Sequence, residues 1–489
     1  MKICLLLQRR FARVGHAIAI NIKREHPDTR FCAYTEPRYN VAFLQNQMDI
    51  KYEGIFLDED MHKALYSEKL DLEYLKGKEK EYGIPNLWPY IYIDRLLMSS
   101  QLIREYPNDK PLLGPEDLLR ALQAGIKMTE KFLNEQRPDA VFMGVVNSLS
   151  SLLLYELAKK RGIKVIIFAG TRIKDGVILT EDYRTFTWAR DIFKKTISGA
   201  RPLAKESEAR KFLREFRSNP RPYHPGLGVG VKKSKVSVLT SLRWYIGSII
   251  RFCFNKERDY SDENPLWNIY DKFTRKIRGL SIQSRFWSEP IKNEKYSFFP
   301  LHLEPEMTIL LLAPRYADQL HLIKQIARSL PIDQKLYVKE HPQMIGYRKS
   351  SYYKELLKIP NVKIIRPDIA GTEITKHAEI VYTIAGTAAW EGILLGRPVI
   401  TFGNVFYNEL SFVKRCNSYE ELADLTKNVL TSFEYDEMEL IHFISALLED
   451  SVNAEVANLW VKSYTVSEIV GNAGINKLAK LIYSKLCLN

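Results

Sequence analysis

Apolar residues in the first half of the chain fall into short unbroken runs, separated by segments in which they recur at helical spacing. Ile3–Leu7 predicts a buried strand and Gly15–Arg24 a helix. Ala140–Met143, introduced by Arg137-Pro138-Asp139, predicts a second strand. Ser148–Arg161 predicts a helix closed by Gly162, and Val165–Phe168 the next strand. Strand, helix, glycine and strand in that order form a βαβ unit, which favours a parallel sheet covered by helices on both faces. From about Glu53 to Leu118 the pattern is less regular, rich in aromatics (Trp88, Tyr90, Tyr92) and mostly helical.

Between about Asp191 and Lys295 the rhythm breaks. Pro220, Pro222 and Pro225 with Gly226, Gly228 and Gly230 predict a loop or linker. Val236–Phe254 is apolar and aromatic but carries Arg243 and Arg251, two charges that argue against a membrane-spanning helix. An amphipathic helix lying on an anionic membrane, or packing on the protein itself, fits the pattern. The alternation then restarts, with strands predicted at Ile309–Leu312, Leu336–Lys339, Val362–Ile365, Ile380–Thr383 and Val399–Phe402. Helices fall between them, notably Asp318–Ser329 and Thr387–Leu395. This spacing predicts a second doubly wound sheet; after Gly403 the pattern reads as helical to the end. The breaks divide the chain into an N-terminal Rossmann-like domain (1–190), a basic linker or insert (191–295), a second Rossmann-like domain (296–460) and C-terminal helices (461–489).

A chain of 489 residues exceeds what one core serves, and 46% hydrophobic with 27% charged residues is the composition of a folded protein. The five cysteines (Cys4, Cys32, Cys253, Cys416, Cys487) lack the clustering of a disulfide framework or zinc site, which predicts a reducing compartment. The N-terminal apolar run is too short for a signal peptide and is met at once by Arg9 and Arg10. The charge alters the picture more. Between Arg190 and Lys256 sixteen Lys or Arg face four acidic residues, an excess of twelve out of a net +14. Such a block marks a solvated connector or a surface for nucleic acid, anionic lipid or a phosphorylated substrate.

Ligands of open parallel sheets collect beyond the carboxyl ends of the strands. At the strand ends predicted for the second half stand Arg315, then Lys339-Glu340-His341-Pro342, then Ala385-Gly386-Thr387, which opens a helix. Gly386 permits close approach of a ligand to the backbone. Thr387 is placed to cap the helix or contact a phosphate oxygen, and the uncompensated N–H groups of a helix start favour an anion. His341 is held by the backbone restriction of Pro342 and offers a ring nitrogen to the same edge. Glu391, one turn into the helix, is placed either to accept hydrogen bonds from a donor ribose or to solvate the helix. GxGxxG, the P-loop and an acidic metal-binding cluster are all missing from the sequence, which removes support from redox and kinase readings and predicts no bound metal or cofactor.

The segments Leu336-Tyr337-Val338-Lys339-Glu340-His341-Pro342, Thr383-Ile384-Ala385-Gly386-Thr387-Ala388-Ala389-Trp390-Glu391 and Leu395-Gly396-Arg397-Pro398-Val399 resemble the capsule polysaccharide biosynthesis family, which includes bacterial Kdo transferases. Phe299-Pro300-Leu301-His302-Leu303-Glu304-Pro305-Glu306 looks like the segment opening the same domain. The likeness covers about 295–410, and its His-Pro signature is similar to that of bacterial sialyltransferases and polyglycerol-phosphate polymerases. It implies the GT-B fold: two Rossmann-like doubly wound domains facing across a cleft, with the C-terminal helices (461–489) crossing back to the first. It also implies that His341 contacts the donor phosphate and that Thr387, with Thr383, sits near it. The chain departs from the family where His302 and Glu304-Pro305 replace a common Gln-Pro. The acidic motif that supplies the base in sialyltransferases is matched only by Lys174-Asp175-Gly176, which is equally a plain turn.

The resulting expectation is a metal-independent glycosyltransferase. Arg315, Lys339, Glu340, His341, Pro342, Thr383, Gly386, Thr387 and Glu391 would hold the nucleotide-sugar donor, a CMP-activated acid sugar such as Kdo ahead of a UDP-sugar. Asp175 or His16 would activate the acceptor hydroxyl. The expected acceptor is lipid-linked or a polysaccharide, and nucleic acid is not an expected partner. The expected location is cytoplasmic, with peripheral contact at the inner membrane face through the basic segment. The alternatives are a non-hydrolysing nucleotide-sugar epimerase and a non-catalytic export or scaffold protein.

Overall fold

The computed structural model describes residues 1–99, 113–221, 238–254, 265–282, 285–456, 459 and 464–488. Its first sheet is built from β1 (Lys2–Gln8), β2 (Arg30–Glu36), β3 (Tyr52–Leu57), β4 (Ala140–Met143), β5 (Lys164–Gly170) and β6 (Gly176–Thr180), joined by a late return strand. α1 (Phe11–Glu25) follows β1, and α2 (Tyr39–Gln45) joins β2 to β3. The segment between β3 and β4 carries α3 (Asp58–Ala64), α4 (Leu72–Tyr82), α5 (Trp88–Tyr92), α6 (Arg95–Ser99) and α7 (Pro115–Gln136), and α8 (Leu149–Lys160) joins β4 to β5. Local chemistry sets these boundaries. α7 starts with Pro115 at its first position and Glu116 and Asp117 in its first turn, and ends at Arg137 in the left-handed conformation before Pro138. α8 opens on a reciprocal capping box between Ser148 and Ser151.

α9 (Thr187–Ile197) and α10 (Glu206–Ser218) come next, then α11 (Val238–Phe254) and α12 (Pro265–Ile282). The second sheet contains β7 (Tyr296–Pro300), β8 (Lys335–Lys339), β9 (Val362–Ile365), β10 (Val381–Thr383), β11 (Val399–Thr401) and β12 (Val413–Arg415). Its helices are α13 (Met307–Leu312), α14 (Gln319–Ser329), α15 (Ser350–Leu357), α16 (Gly371–His377), α17 (Thr387–Leu394), α18 (Leu422–Ser432) and α19 (Glu437–Glu449). β13 (Ser451–Asn453), α20 (Val466–Val470) and α21 (Ala473–Leu486) complete the described elements.

The first sheet runs β13-β6-β5-β4-β1-β2-β3, with β1 to β5 parallel and β6 antiparallel to β5. The second runs β12-β11-β10-β7-β8-β9, all parallel. Strand order reverses between β1 and β4 in the first sheet and between β7 and β10 in the second, so each has a crevice at that point. Two doubly wound α/β domains thus face one another, and the chain returns from the second to the first. This is the GT-B arrangement.

Several expectations need correction. Ile309–Leu312 is helical, as part of α13, and the strand that starts the second sheet is Tyr296–Pro300. A short apolar run does not distinguish a strand from a buried helical turn. Here the run is spent joining the domains: Leu310 and Leu311 pack on the core of the first, while Ile309 is buried in the second. The chain after Gly403 is not wholly helical, because β12 and β13 lie in it. The return to the first domain begins before 461, since β13 pairs antiparallel with β6. α20 and α21 then cover α1, burying Ile475, Leu478 and Ile482 against Val14, Ile18 and their neighbours.

The stretch expected as a linker contains α9 and α10, which pack on α19. Phe193, Ala209 and Leu213 join Phe443 and Leu447 in one buried cluster. Full burial of each large apolar side chain contributes about 1.5–3 kcal/mol, so these helices are integral to the fold. The Pro/Gly run from Pro222 to Gly230 lies outside the described residues.

Candidate active site

A cavity of about 570 Å³ opens between the two domains. On the first-domain side it is lined by Gly144–Val146 beyond β4 and by the β5–β6 turn with Arg172 and Asp175. The second domain contributes Thr308 and Leu312 of α13, the Ala385-Gly386-Thr387 start of α17, Trp390, and Phe406-Tyr407. Glu455, from the returning chain, closes one side. Both crevices therefore open into one space, and it joins Asp175 to Gly386 and Thr387.

The tip of α17 is built for close approach. Gly386 is the residue before the helix, and no side chain caps the N-terminus. Its own N–H donates to Thr383 Oγ1 at 3.1 Å, and its carbonyl accepts from Tyr407 Oη at 2.8 Å. A Cβ on Gly386 would lie 2.9 Å from both His302 Nε2 and Thr383 Oγ1, so the position is closed to any larger residue without displacement. The glycine carbonyl and amide are both engaged, and the leading N–H groups of the first turn lack intrahelical acceptors, an arrangement that favours an anion. Trp390 is buried in the same wall, and its Nε1–H has no acceptor among the described residues.

The imidazole beside this tip is His302, a residue that the sequence reading treated as a departure from the family. His302 Nε2 lies 3.0 Å from Thr383 Oγ1. Burial pulls its pKa down to about 3, with the neighbouring His341 adding to the effect, so the ring is neutral and serves as a hydrogen-bonding spacer. Beneath it runs a buried polar network. The His302 N–H donates to Gln319 Oε1 at 2.7 Å, and Arg348 Nη2 donates to the His302 carbonyl at 2.7 Å. Arg348 also pairs with Glu340 and, at 3.3 Å, with Glu304. Tyr353 Oη donates to Glu340 Oε2 at 2.7 Å.

The expected site residues therefore separate. Thr383 is fully buried and acts on the tip through Gly386 rather than facing the cavity. Glu340 is corrected from a ligand contact to a structural anion, because its carboxylate is fully buried and spent on Arg348, Tyr353 and the His341 N–H. His341 is half-buried one strand further along the edge, and its Nδ1 accepts from the Gln343 N–H at 3.2 Å, capping the short turn that Pro342 opens. Lys339 is buried and donates to the Pro367 carbonyl at 3.1 Å. Burial lowers its pKa against the pull of Glu340, Asp368 and Glu391. Glu391 is buried one turn into α17, and Arg315 lies exposed in the short turn after α13. None of Arg315, Lys339, Glu340, His341, Pro342 or Glu391 lines the cavity.

His16 is overturned as a candidate base. It is fully buried in α1, with Nδ1 2.9 Å from Tyr52 Oη and its ring edge-on to Phe43, and burial lowers its pKa to about 4. Asp175 by contrast is exposed at the cavity wall. Its turn is tightly specified. Arg172 and Lys174 both adopt positive φ (65° and 49°), and the buried Thr171 Oγ1 lies 3.1 Å from the Ile173 N–H that it accepts and 3.2 Å from the Gly176 carbonyl to which it donates. Left-handed backbone at non-glycine residues costs energy and persists where its surroundings impose it. No motif pointed to this turn, nor to Arg172, Arg184, Trp390, Tyr407 or Glu455 as cavity residues.

Residues 253–420 match the family model described as capsule polysaccharide biosynthesis protein. The matched segment includes β7 to β12, and so contains His302, Arg348 and the α17 tip. A stretch of 130 residues is 29% identical to Protein FixF of Sinorhizobium fredii, covering 26% of this chain and 31% of FixF. Another of 91 residues is 26% identical to the capsule polysaccharide modification protein LipA of Neisseria meningitidis, covering 19% of this chain and 13% of LipA. The chain thus spans less than a third of the length of these curated relatives. Among solved structures it is similar to Thermosulfurimonas dismutans KpsC, a beta Kdo 2,7 transferase, at 11% identity and a TM-score of 0.37 over 70% of this chain and 87% of that one.

Proposed function

We propose that the protein is a glycosyltransferase of capsule polysaccharide synthesis, moving a sugar from a nucleotide-activated donor to a lipid-linked or polysaccharide acceptor. The observation that carries this reading is the interdomain cavity with the α17 tip on one wall and Asp175 on the other. The leaving nucleotide phosphate sits at the tip, where N–H groups that need no reorganisation meet the charge growing on the departing oxygen. Thr387 donates its hydroxyl to the same phosphate, and the Trp390 indole N–H meets an acceptor on the donor. Asp175 takes the proton of the attacking acceptor hydroxyl. Arg172, on the same strained turn, supplies positive charge beside it, which suits an acidic sugar. A CMP-activated acid sugar is therefore the preferred donor, ahead of a UDP-sugar.

The test is a thermal-shift series with CMP, UDP, CDP and GDP, followed by transfer assays with the donor class that binds. Stabilisation by one base and a fall in kcat of about 10²–10⁴ for Asp175→Asn, with nucleotide binding unchanged, is the expected result. No shift with any nucleotide, or full transfer by Asp175→Asn, overturns the reading.

A further inference from the structure

α12 is inside out. Its apolar residues Leu266, Ile269, Tyr270, Phe273, Ile277 and Leu280 recur at the i, i+3, i+4, i+7 spacing of one helical face, and that face lies in solvent, with Phe273 and Leu280 each 64% exposed. The buried position between them is polar: Asp271, 4% exposed, pairs with Arg275 at 2.7 Å. α11 shows the same inversion, with Ile246, Ile249, Ile250 and Phe254 exposed at the same spacing. The two helices contact one another, and Lys272 Nζ donates to Tyr245 Oη at 2.8 Å. The pair is docked on the second domain by its polar side. Arg275 Nη1 donates to Tyr347 Oη at 2.6 Å, and the Arg275 carbonyl lies where a Cβ on Gly346 (φ 84°) would stand 2.6 Å away.

Apolar helical faces of this width are covered in working proteins, and the charge around these two identifies what covers them. α11 and α12 together carry six basic residues (Arg243, Arg251, Lys272, Arg275, Lys276, Arg278) and one acid, Asp271, which is already paired. A second copy of the chain would bring like charge against like. An anionic bilayer complements both features, taking the apolar stripe among its acyl chains and its headgroups against the lysines and arginines. Trp267 and Tyr270, both exposed, are the residue types that settle at the headgroup level. No described helix is long and apolar enough to cross a membrane, so the contact lies in the plane of the surface.

We infer that α11 and α12 form a docking surface for an anionic lipid bilayer, anchored on the Gly346–Arg348 loop of the donor-side domain. This inference stands on the exposed helices alone and survives or fails independently of the transferase assignment.

Sedimentation of the full chain with phosphatidylcholine vesicles, with and without phosphatidylglycerol, tests it. The wild type is expected to sediment with the mixed vesicles only, and to be released by salt. Phe273→Asp/Ile277→Asp is expected to lower binding about tenfold or more, and Lys276→Gln about fivefold, since each surface cation adds roughly 1 kcal/mol. These positions are exposed, so the variants keep the wild-type melting temperature and nucleotide response. Equal sedimentation of wild type and Phe273→Asp/Ile277→Asp overturns the inference, as does absence of wild-type binding to the mixed vesicles. Light scattering that shows a dimer dissolved by the same double substitution, without vesicle binding, assigns the face to a second copy and also overturns it.

Discussion

Removing the Arg348 side chain separates what holds the α17 tip from what touches a ligand. Arg348→Met preserves most of the apolar volume but withdraws the cation shared by Glu340, which is fully buried, and Glu304. A unit pair 3.3 Å apart, the Arg348–Glu304 separation, attracts by about 5 kcal/mol at an effective dielectric near 20, against which desolvation must be set. Deleting one partner of a buried pair costs about 3–5 kcal/mol, because the other charge stays buried and alone. We expect urea unfolding at neutral pH to show a loss in that range. The loss depends on pH with a definite sign. Burial already holds the Glu304 carboxyl above its ordinary value against the pull of Arg348, so without the arginine its folded-state pKa rises further, and the added penalty is full above that value and fades as pH falls toward about 4.3. The variant also frees the His302 carbonyl, loosening the spacer behind Gly386, so nucleotide stabilisation should fall although Arg348 does not line the cavity. Adding Glu340→Gln should recover part of the stability. A loss below about 1 kcal/mol, or one that does not shrink on acidification, refutes the claim that this ion pair supports the tip.

Gly386→Ala forces a methyl to within 2.9 Å of His302 Nε2 and Thr383 Oγ1; we expect a cost of about 1–3 kcal/mol in thermal unfolding and loss of the nucleotide-induced shift, and a retained shift would place the ligand elsewhere. Burial and the adjacent Asp58 push the Glu36 carboxyl up to about 8, so the folded state binds the extra proton and stability falls as pH rises from about 4.5 to about 8, by at most about 1.4 kcal/mol per unit. Glu36→Gln should flatten that slope in urea midpoints measured across the range. Lys485→Met leaves the buried Asp450 carboxylate without its partner at 2.6 Å; a loss of about 3 kcal/mol and earlier proteolysis of the C-terminal helix are expected, and an unchanged digestion pattern would show that the return segment is held by its apolar contacts alone.

Much of the fold was legible because parallel strands buried on both faces leave apolar runs that few other structures leave. Ala140–Met143 and Val362–Ile365 are strands with the expected limits, and Ser148–Arg161 differs from α8 only in its two capping residues. What failed has identifiable causes. Three-residue β13 is too short to show alternation, so the early return to the first sheet was invisible. The run Thr-Ile-Leu-Leu-Leu at 308–312 fits either state, and only its task of packing against both domains makes it a helix. In α11 the pattern predicted an amphipathic helix but carried no information on which side would face the protein.

The misplaced histidine is the most instructive case. A sequence tells which residues end a strand but not which strands are neighbours. Reading His341 as the partner of Gly386 assumed that the ends of β8 and β10 meet. The chain instead runs outward from β7 through β8 to β9, then crosses back to place β10 on the other side of β7. The segment that follows β7 therefore stands at the crevice, and it carries His302. Its neutral ring links the α17 tip, through Thr383, to the buried Arg348–Glu340 pair behind it. His341 belongs to the far end of the same network, where its N–H donates to Glu340 at 2.6 Å. The Gly346–Arg348 loop that closes this network is also the seat of α12. A bilayer bound by α11 and α12 would thus press on the element that steadies the cavity wall.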